Sequence, residues 1–505
     1  MSRFYDNELV IGIVAAVGTE TTQVVTLLQE EIRRAHYKAE NIKISKEIIS
    51  KVVDVTGVPD EVGYKRIDCL MTKGNMAREA ASEKSSESYN GNAVLAYGAA
   101  ARIFSSRPRE NNKQVPYKRQ AFIIDSLKRP EEVQALRAIY PQGFVLLGID
   151  AVYSKRMEHL TKTLQMSLED AQALIERDEN EAREKHGQRV SKSFYLADFF
   201  IKLSDDNSLR YEVRRMVELW FGCPTHTPTF EEFAMFFAFS SALRSADLSR
   251  QVGAVVAKDN EIISTGANDC PAAGGGLYWP ALNKKGEIED REKGRDYKRG
   301  ADSNRLEQVS IIDDIIEAAD DKLDKEALRD LLVRSRIKDL TEYGRVVHAE
   351  MEAILSCARR GIPTLGAEIF CTTFPCHNCA KHIIDAGFKR VVYIEPYKKS
   401  KALEFHDDSI CAETDTDRMS DNRVVFEPFS GIGPRQFYNL FSMHLSSGYE
   451  MVRKEKETGN VKGWKMSEAR LRLSMNPSSY IDLEIDASRA FDDMIDSGHQ
   501  EKLDV

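Results

Sequence analysis

No apolar run in this 505-residue chain reaches the roughly 18 residues that a membrane-spanning helix needs. The longest candidate, LVIGIVAAVG from Leu9 to Gly18, is flanked by Asp6 and Glu8, with Arg3 the one basic side chain upstream. No cleavage motif of small residues follows, so the stretch is expected to be a strand and not an export signal. There is no excess of positive charge either: the formal net charge is −9, which disfavours non-specific wrapping of nucleic acid. No internal repeat or low-complexity tract interrupts the pattern. The eight cysteines are scattered and form no disulfide framework, which suits a reducing compartment and a cytoplasmic protein. A close cysteine pair is then better explained by metal binding or catalysis than by a disulfide.

What is present alternates short apolar runs with helical spacing. Residues 8–18 read as a buried strand ending in a glycine turn, 21–34 as a helix, and QAFIIDS (from Gln120) and GFVLLGIDA (from Gly143) as further strands. This implies a parallel α/β sheet. FGCPTHTPT, from Phe221 to Thr229, is the best linker, since two prolines and its hydroxyl residues break the pattern. A second α/β unit follows, with a hairpin turning at Asp259-Asn260 and a charged insertion at about residues 281–340. The expected domains are therefore 1–225, 226–450 and a charged C-terminal extension, 451–505.

Chemistry concentrates in FPCHNC, from Phe374 to Cys379. With Pro375 as first helical residue, Cys376 and Cys379 share one face of a first turn, where N–H groups and the helix dipole favour thiolates. His377 points about 100° away from that face and is expected to take no part as a ligand. Two thiolates make an incomplete zinc site, because catalytic sites use three protein ligands and an open position. His348 in VVHAEMEAIL is the candidate third ligand, and Glu350, two residues on, is a carboxylate in an apolar helix start. Both can serve one zinc ion (Zn2+) only if His348 opens the helix and the metal sits over its N-terminal end. H-A-E followed by P-C-x-x-C is the signature of zinc nucleobase deaminases, with the glutamate as proton shuttle. The competing structural reading is a zinc anchor completed by Cys371 or Cys357.

On these residues, together with SADLSRQVGAVV (from Ser245), STGAND, GLYWP, TTFPCHNCAKHIIDAG, YIEPYKKSKA and GIGPRQFYNLF, the chain resembles the deoxycytidylate deaminase family over residues 230–440. It resembles more closely a two-domain bacterial branch linked to phage defence. The resemblance implies a cytidine deaminase-like domain with a five-stranded mixed sheet and both zinc helices on one face. It implies a sugar contact at Asn268, action on dCMP, dCTP or both, and a homo-oligomer. Two departures stand out: the family's Asn-Gly-x-Pro reads Asn268-Asp269-Cys270-Pro271, and the insertion around RDYKRGADSNR is long. The substrate phosphates need cations; Arg250, Lys381, Lys399, Lys401 and Arg435 flank the motifs and are the candidates.

AAVGTETT, from Ala15 to Thr22, stands where a strand turns into a helix, the place of a P-loop. Ala15, Glu20 and Thr21 replace the two glycines and the lysine of that motif, so phosphate binding loses its main cation. The phage-defence deaminases carry a P-loop kinase-like domain here. The resemblance thus implies a degenerate kinase-like N-terminal domain, with Gly18, Thr19, Thr21, Thr22 and Asp125 as its nucleotide-binding positions and Arg156 in the lid region. Without phosphoryl transfer its expected role is regulatory, answering to a nucleotide, an RNA or a protein.

The expected function is zinc-dependent deamination of dCTP and/or dCMP, depleting deoxycytidine nucleotides during phage infection. Two other readings are a polynucleotide deaminase acting on tRNA or single-stranded DNA, and a non-enzymatic nucleotide sensor. The first wants a basic channel with stacking aromatics; the second has no use for Glu350.

Overall fold

The computed structural model describes residues 8–495 except 86–88, 182–183, 204–205, 398–399, 413–421, 447, 474 and 476. The chain divides into two compact units, Met1–Glu232 with Ser430–Val505, and Phe233–Phe429.

The first unit is built on five parallel strands: β1 (Leu9–Ala15), β2 (Lys38–Lys43), β3 (Gln120–Asp125), β4 (Phe144–Asp150) and β5 (Phe199–Lys202). Their spatial order is β2-β3-β1-β4-β5. All seven residues of β1 are buried, as expected of a central parallel strand covered on both faces. Its register places Ile13 beside Asp125 of β3. The helix Thr21–Arg33 follows β1, so the loop between them lies at the carboxyl ends of the strands.

The C-terminal residues correct the expected boundaries. Instead of an extension beginning at 451, the chain returns to the first unit from Ser430. Gly431–Ile432 adds an antiparallel edge to β5, with Ile432 opposite Phe199. Ile432, Leu440, Met466, Leu471 and Leu473 join the same core as β1 and β4. The helix Pro477–Met494 brings Glu484 to Arg107, which also meets Glu8. Tyr480 donates to Glu8 at 2.6 Å and Tyr140 to Glu484 at 2.7 Å. This ion cluster is completely buried, so each charge depends on the others for solvation.

The second unit holds β6 (Gly253–Lys258), β7 (Glu261–Ala267), β8 (Glu368–Thr373), β9 (Arg390–Glu395), β10 (Ile410–Ala412) and β11 (Val424–Pro428). Their order is β10-β11-β9-β8-β6-β7. The β6–β7 hairpin and the β6–β8 pair are antiparallel, whereas β8, β9, β11 and β10 run parallel. The sheet is mixed, and it has six strands where five were implied; the extra edge, β10, is only three residues long. The hairpin turns at Asp259 and Asn260, both in the left-handed region at φ 53° and 60°, which Asp and Asn tolerate better than other side chains.

Two helices, Ala349–Arg360 and His377–Asp385, cover one face through Ala349, Ala353, Cys357, Ala380 and Ile383. The first lies directly on β7: a Cβ at Gly266 would meet the Ala349 carbonyl oxygen at 2.1 Å. Glycine there lets the helix start sit at the sheet. The insertion carries a small hairpin, the short helix Asp296–Arg299 and two longer helices, Ser303–Ala318 and Lys325–Arg334. No described helix is long and apolar enough to cross a membrane.

Candidate active site

Each of the two helices that cover one face of the second unit's sheet begins at a side chain that could bind a metal. His348 is the N-cap of Ala349–Arg360, with φ −69° and ψ 152°. It is extended, not helical, and so its ring and the side chain of Glu350 escape the opposition that two helical residues would suffer. That meets the constraint set by the sequence. Cys376 is likewise the N-cap of His377–Asp385 at φ −68° and ψ 163°, so the helix begins two residues later than expected from Pro375. The Cys379 N–H donates to Cys376 Sγ at 3.4 Å, which ties the helix start to the thiol.

The three side chains converge. His348 Nδ1 lies 3.4 Å from Cys376 Sγ and 3.3 Å from Cys379 Sγ. Ligands at about 2.0–2.3 Å from a tetrahedral zinc stand roughly 3.3–3.8 Å apart, so the spacing and the S, S, N donor set suit that ion. Cys357 and Cys371 are not in the group of mutually close ligand atoms. His377 does not join either; its ring packs edge-on against Phe405 at 5.8 Å.

The electrostatics follow from hydrogen bonds among these side chains and from burial. Its hydrogen bond with Cys379, supported by His348, holds the Cys376 thiol down to about 4. The hydrogen bond between His348 and Cys376 lifts the imidazole to about 9. The Cys379 thiol is pushed well up by its hydrogen bond with Cys376 and by burial. Glu350 is buried, at 4% exposure, and burial raises its carboxyl against the opposing influence of His348.

Asn268 directly follows β7, and its side chain is engaged by the loop before β6. Its Oδ1 accepts from Val252 N at 2.7 Å and its Nδ2 donates to the Arg250 carbonyl at 2.8 Å. Arg250 itself pairs with Glu395 and lies 5.7 Å from the Tyr397 ring. Lys381 is exposed on the cysteine helix, and Lys401 pairs with Glu404. Lys399 lies outside the described residues, and Arg435 belongs to the first unit, near Asp198 at 3.7 Å. Sequence reasoning missed the braces on the histidine's loop. Asp269 and Val347 exchange backbone hydrogen bonds at 3.2 and 3.0 Å. Arg295, from the insertion, then holds Asp269 at 3.1 Å and Asp290 at 3.0 Å. Part of the insertion is thus a buried strut, and the signal that could have found it is the arginine–acid alternation in DREKGRDYKR.

In the first unit, Gly18 has φ 85° and Thr21 opens the helix after β1. Thr19 N donates to the Ala16 carbonyl at 3.1 Å, and Thr22 is in the helix's first turn. Asp125 stands at the end of the adjacent β3; burial raises its carboxyl, while Lys43, Lys128 and a hydrogen bond with Thr21 oppose the rise. Asp125 lines a cavity of about 270 Å³ with Val17, Lys43, Arg78, Ser126 and Lys128.

The family model for the cytidine and deoxycytidylate deaminase zinc-binding region matches residues 228–395. Deoxycytidylate deaminase of Enterobacteria phage T2 is 31% identical over 166 residues, which is 32% of this chain and 79% of that protein. ComE operon protein 2 of Bacillus subtilis (strain 168) is 57% identical over 54 residues, 11% of this chain; the match spans 29% of the relative's length. The dCMP deaminase structure from the cyanophage S-TIM5, in apo form, aligns at 19% identity and TM-score 0.22, over 40% of this chain and 100% of that one.

Proposed function

We propose that this chain, which belongs to the deoxycytidylate deaminase family, hydrolyses the exocyclic amine of dCMP and/or dCTP to give the uracil nucleotide and ammonia. The observation that carries the reading is the meeting of His348, Cys376 and Cys379 at two helix starts, with a buried Glu350 in the first turn of one of them. Zinc, when bound by these ligands, supplies Lewis-acid activation of a water, bringing its pKa toward about 7. Glu350 takes the proton that this water loses and passes it to N3 of the cytosine ring. As the C4–O bond forms, it takes the second proton from the new C4 hydroxyl and delivers it to the amine, so that the C4–N bond breaks, ammonia leaves and the C4 carbonyl of uracil remains. Burial of Glu350 keeps the shuttled proton from bulk water. The loop braced by Asn268, Asp269 and Arg295 is proposed to position the sugar, and Arg250 and Lys381 to meet phosphate.

The first unit is proposed as a degenerate P-loop kinase-like domain that regulates the deaminase without transferring phosphate. Support comes from five parallel strands, a helix start after β1 without a P-loop lysine, and a cavity bearing Lys43 and Lys128 beside Asp125. A nucleotide is the proposed ligand of this unit, with Gly18, Thr19, Thr21, Thr22 and Asp125 as its candidate contacts; an RNA or protein regulator is the competing partner. A cytoplasmic homo-oligomer that depletes the deoxycytidine nucleotide pool in phage defence completes the reading, on sequence resemblance.

The test is ammonia release from dCMP, dCTP, CMP and CTP by the full chain. Turnover of a deoxy substrate over its ribo counterpart is expected and names the phosphate preference. Activity on tRNA or single-stranded DNA with none on free nucleotides would overturn the reading.

A further inference from the structure

We propose that Glu218, Cys223 and His226 form a second metal site, in the first unit, selective for zinc or a similarly borderline divalent cation. Their ligand atoms all lie within 4.8 Å of one another. Among the described residues, this is the one such group besides His348, Cys376 and Cys379. Glu218 Oε2 is 2.7 Å from His226 Nε2, and Cys223 is buried, at 6% exposure. A thiolate and a carboxylate balance a dication when the imidazole is neutral. The sulfur ligand disfavours magnesium and calcium, which take oxygen. One thiolate, one imidazole and one carboxylate leave a fourth position open, the pattern of a three-ligand zinc site.

The site is also held in place before any metal arrives. Glu218 lies in the last turn of Asp206–Trp220, and the Cys223 N–H donates back to the Glu218 carbonyl at 2.9 Å. Gly222 makes the bend at φ 67°, where a Cβ would strike the Tyr449 hydroxyl at 2.2 Å. The Phe221 carbonyl accepts from Tyr449 and from Trp464, both at 3.3 Å. Arg453 donates to the Pro224 carbonyl at 2.8 Å and Arg215 to that of Thr227 at 2.9 Å. The ligand-bearing turn is thereby pinned on both flanks, so binding needs side-chain adjustment and little backbone ordering, which favours affinity.

The experiment counts zinc in the full chain by mass spectrometry, after equilibration with zinc and gel filtration to remove loosely held ion. About two ions per chain are expected in the wild type, about one in Cys223→Ser, and about one in Cys376→Ser. The double variant is expected to hold none. Glu218→Gln, nearly isosteric, keeps the test valid if Cys223→Ser fails to fold, and should show the same loss. Cobalt(II) loaded into Cys376→Ser should give a thiolate charge-transfer band that Cys223→Ser removes. One zinc in the wild type that disappears with Cys376→Ser would overturn the second site, as would two ions retained in Cys223→Ser. Because each site is scored by its own variant, failure here is distinct from failure of the deaminase reading.

Discussion

The turn from β1 into Thr21–Arg33 and the turn from β8 into His377–Asp385 share one plan: a buried strand runs into the open N–H groups of a helix. Such a start attracts negative charge. In the second unit it is furnished with a thiol at the N-cap and another three residues on, and a neighbouring helix start supplies the histidine. In the first unit the residues that lead into the loop are pinned by the protein's own side chains. Val17 N donates to Asp178 at 2.9 Å, the Val17 carbonyl accepts from Arg156 at 2.7 Å, and the Ala15 carbonyl accepts from Lys128 at 2.8 Å. Glu20 occupies the N-cap without a capping hydrogen bond. A helix start is therefore a chemical opportunity, and the side chains placed around it decide whether it becomes a site.

That contrast can be broken from either side. The largest effect is expected from His348→Ala, which removes one of three ligands: zinc at that site and deaminase activity should fall together, read by metal analysis and ammonia release. Next is Arg107→Leu, which strands two buried carboxylates, Glu8 and Glu484. A loss of about 3–5 kcal/mol is expected for such a broken cluster, measured by urea denaturation, with the zinc of the second unit unaffected. Arg156→Leu would leave the Val17 carbonyl unpaired, at a cost of about 1–3 kcal/mol, and should loosen the β1 turn as judged by hydrogen exchange. The smallest effect belongs to His377→Ala: beside Phe405 and outside the ligand group, it should leave zinc content unchanged and stability within about 1 kcal/mol. A zinc loss in that variant would mean that the ligand set has been misassigned.

How far the sequence could be read depended on the range of the interactions. The candidate site was legible because H-A-E and P-C-x-x-C each lie within one turn of chain, where capping and helix geometry dictate side-chain direction. Even there, Cys376 is an N-cap and not the second helical residue, a shift that proline at 375 could not reveal. β1, β3 and β4 were legible as short apolar runs for the same local reason. The return of residues after Ser430 to the first unit was not. Leu471, Leu473 and Tyr480 are buried but scattered among charges, and their partners lie hundreds of residues away. The Arg295 strut was hidden for a different reason: its acids are near in sequence, but an alternation of charges reads as a solvated surface until the fold buries it with Asp269 and Asp290.

The central claim, that Glu350 moves the proton at a site held by His348, Cys376 and Cys379, is tested most directly with Glu350→Gln. The substitution keeps size and burial but removes the carboxylate. Turnover of the best deoxycytidine nucleotide should be measured beside zinc content for this variant and the wild type. A fall in kcat of about 10²–10⁴-fold, with zinc per chain unchanged, is the predicted result. Undiminished turnover in Glu350→Gln would contradict the account.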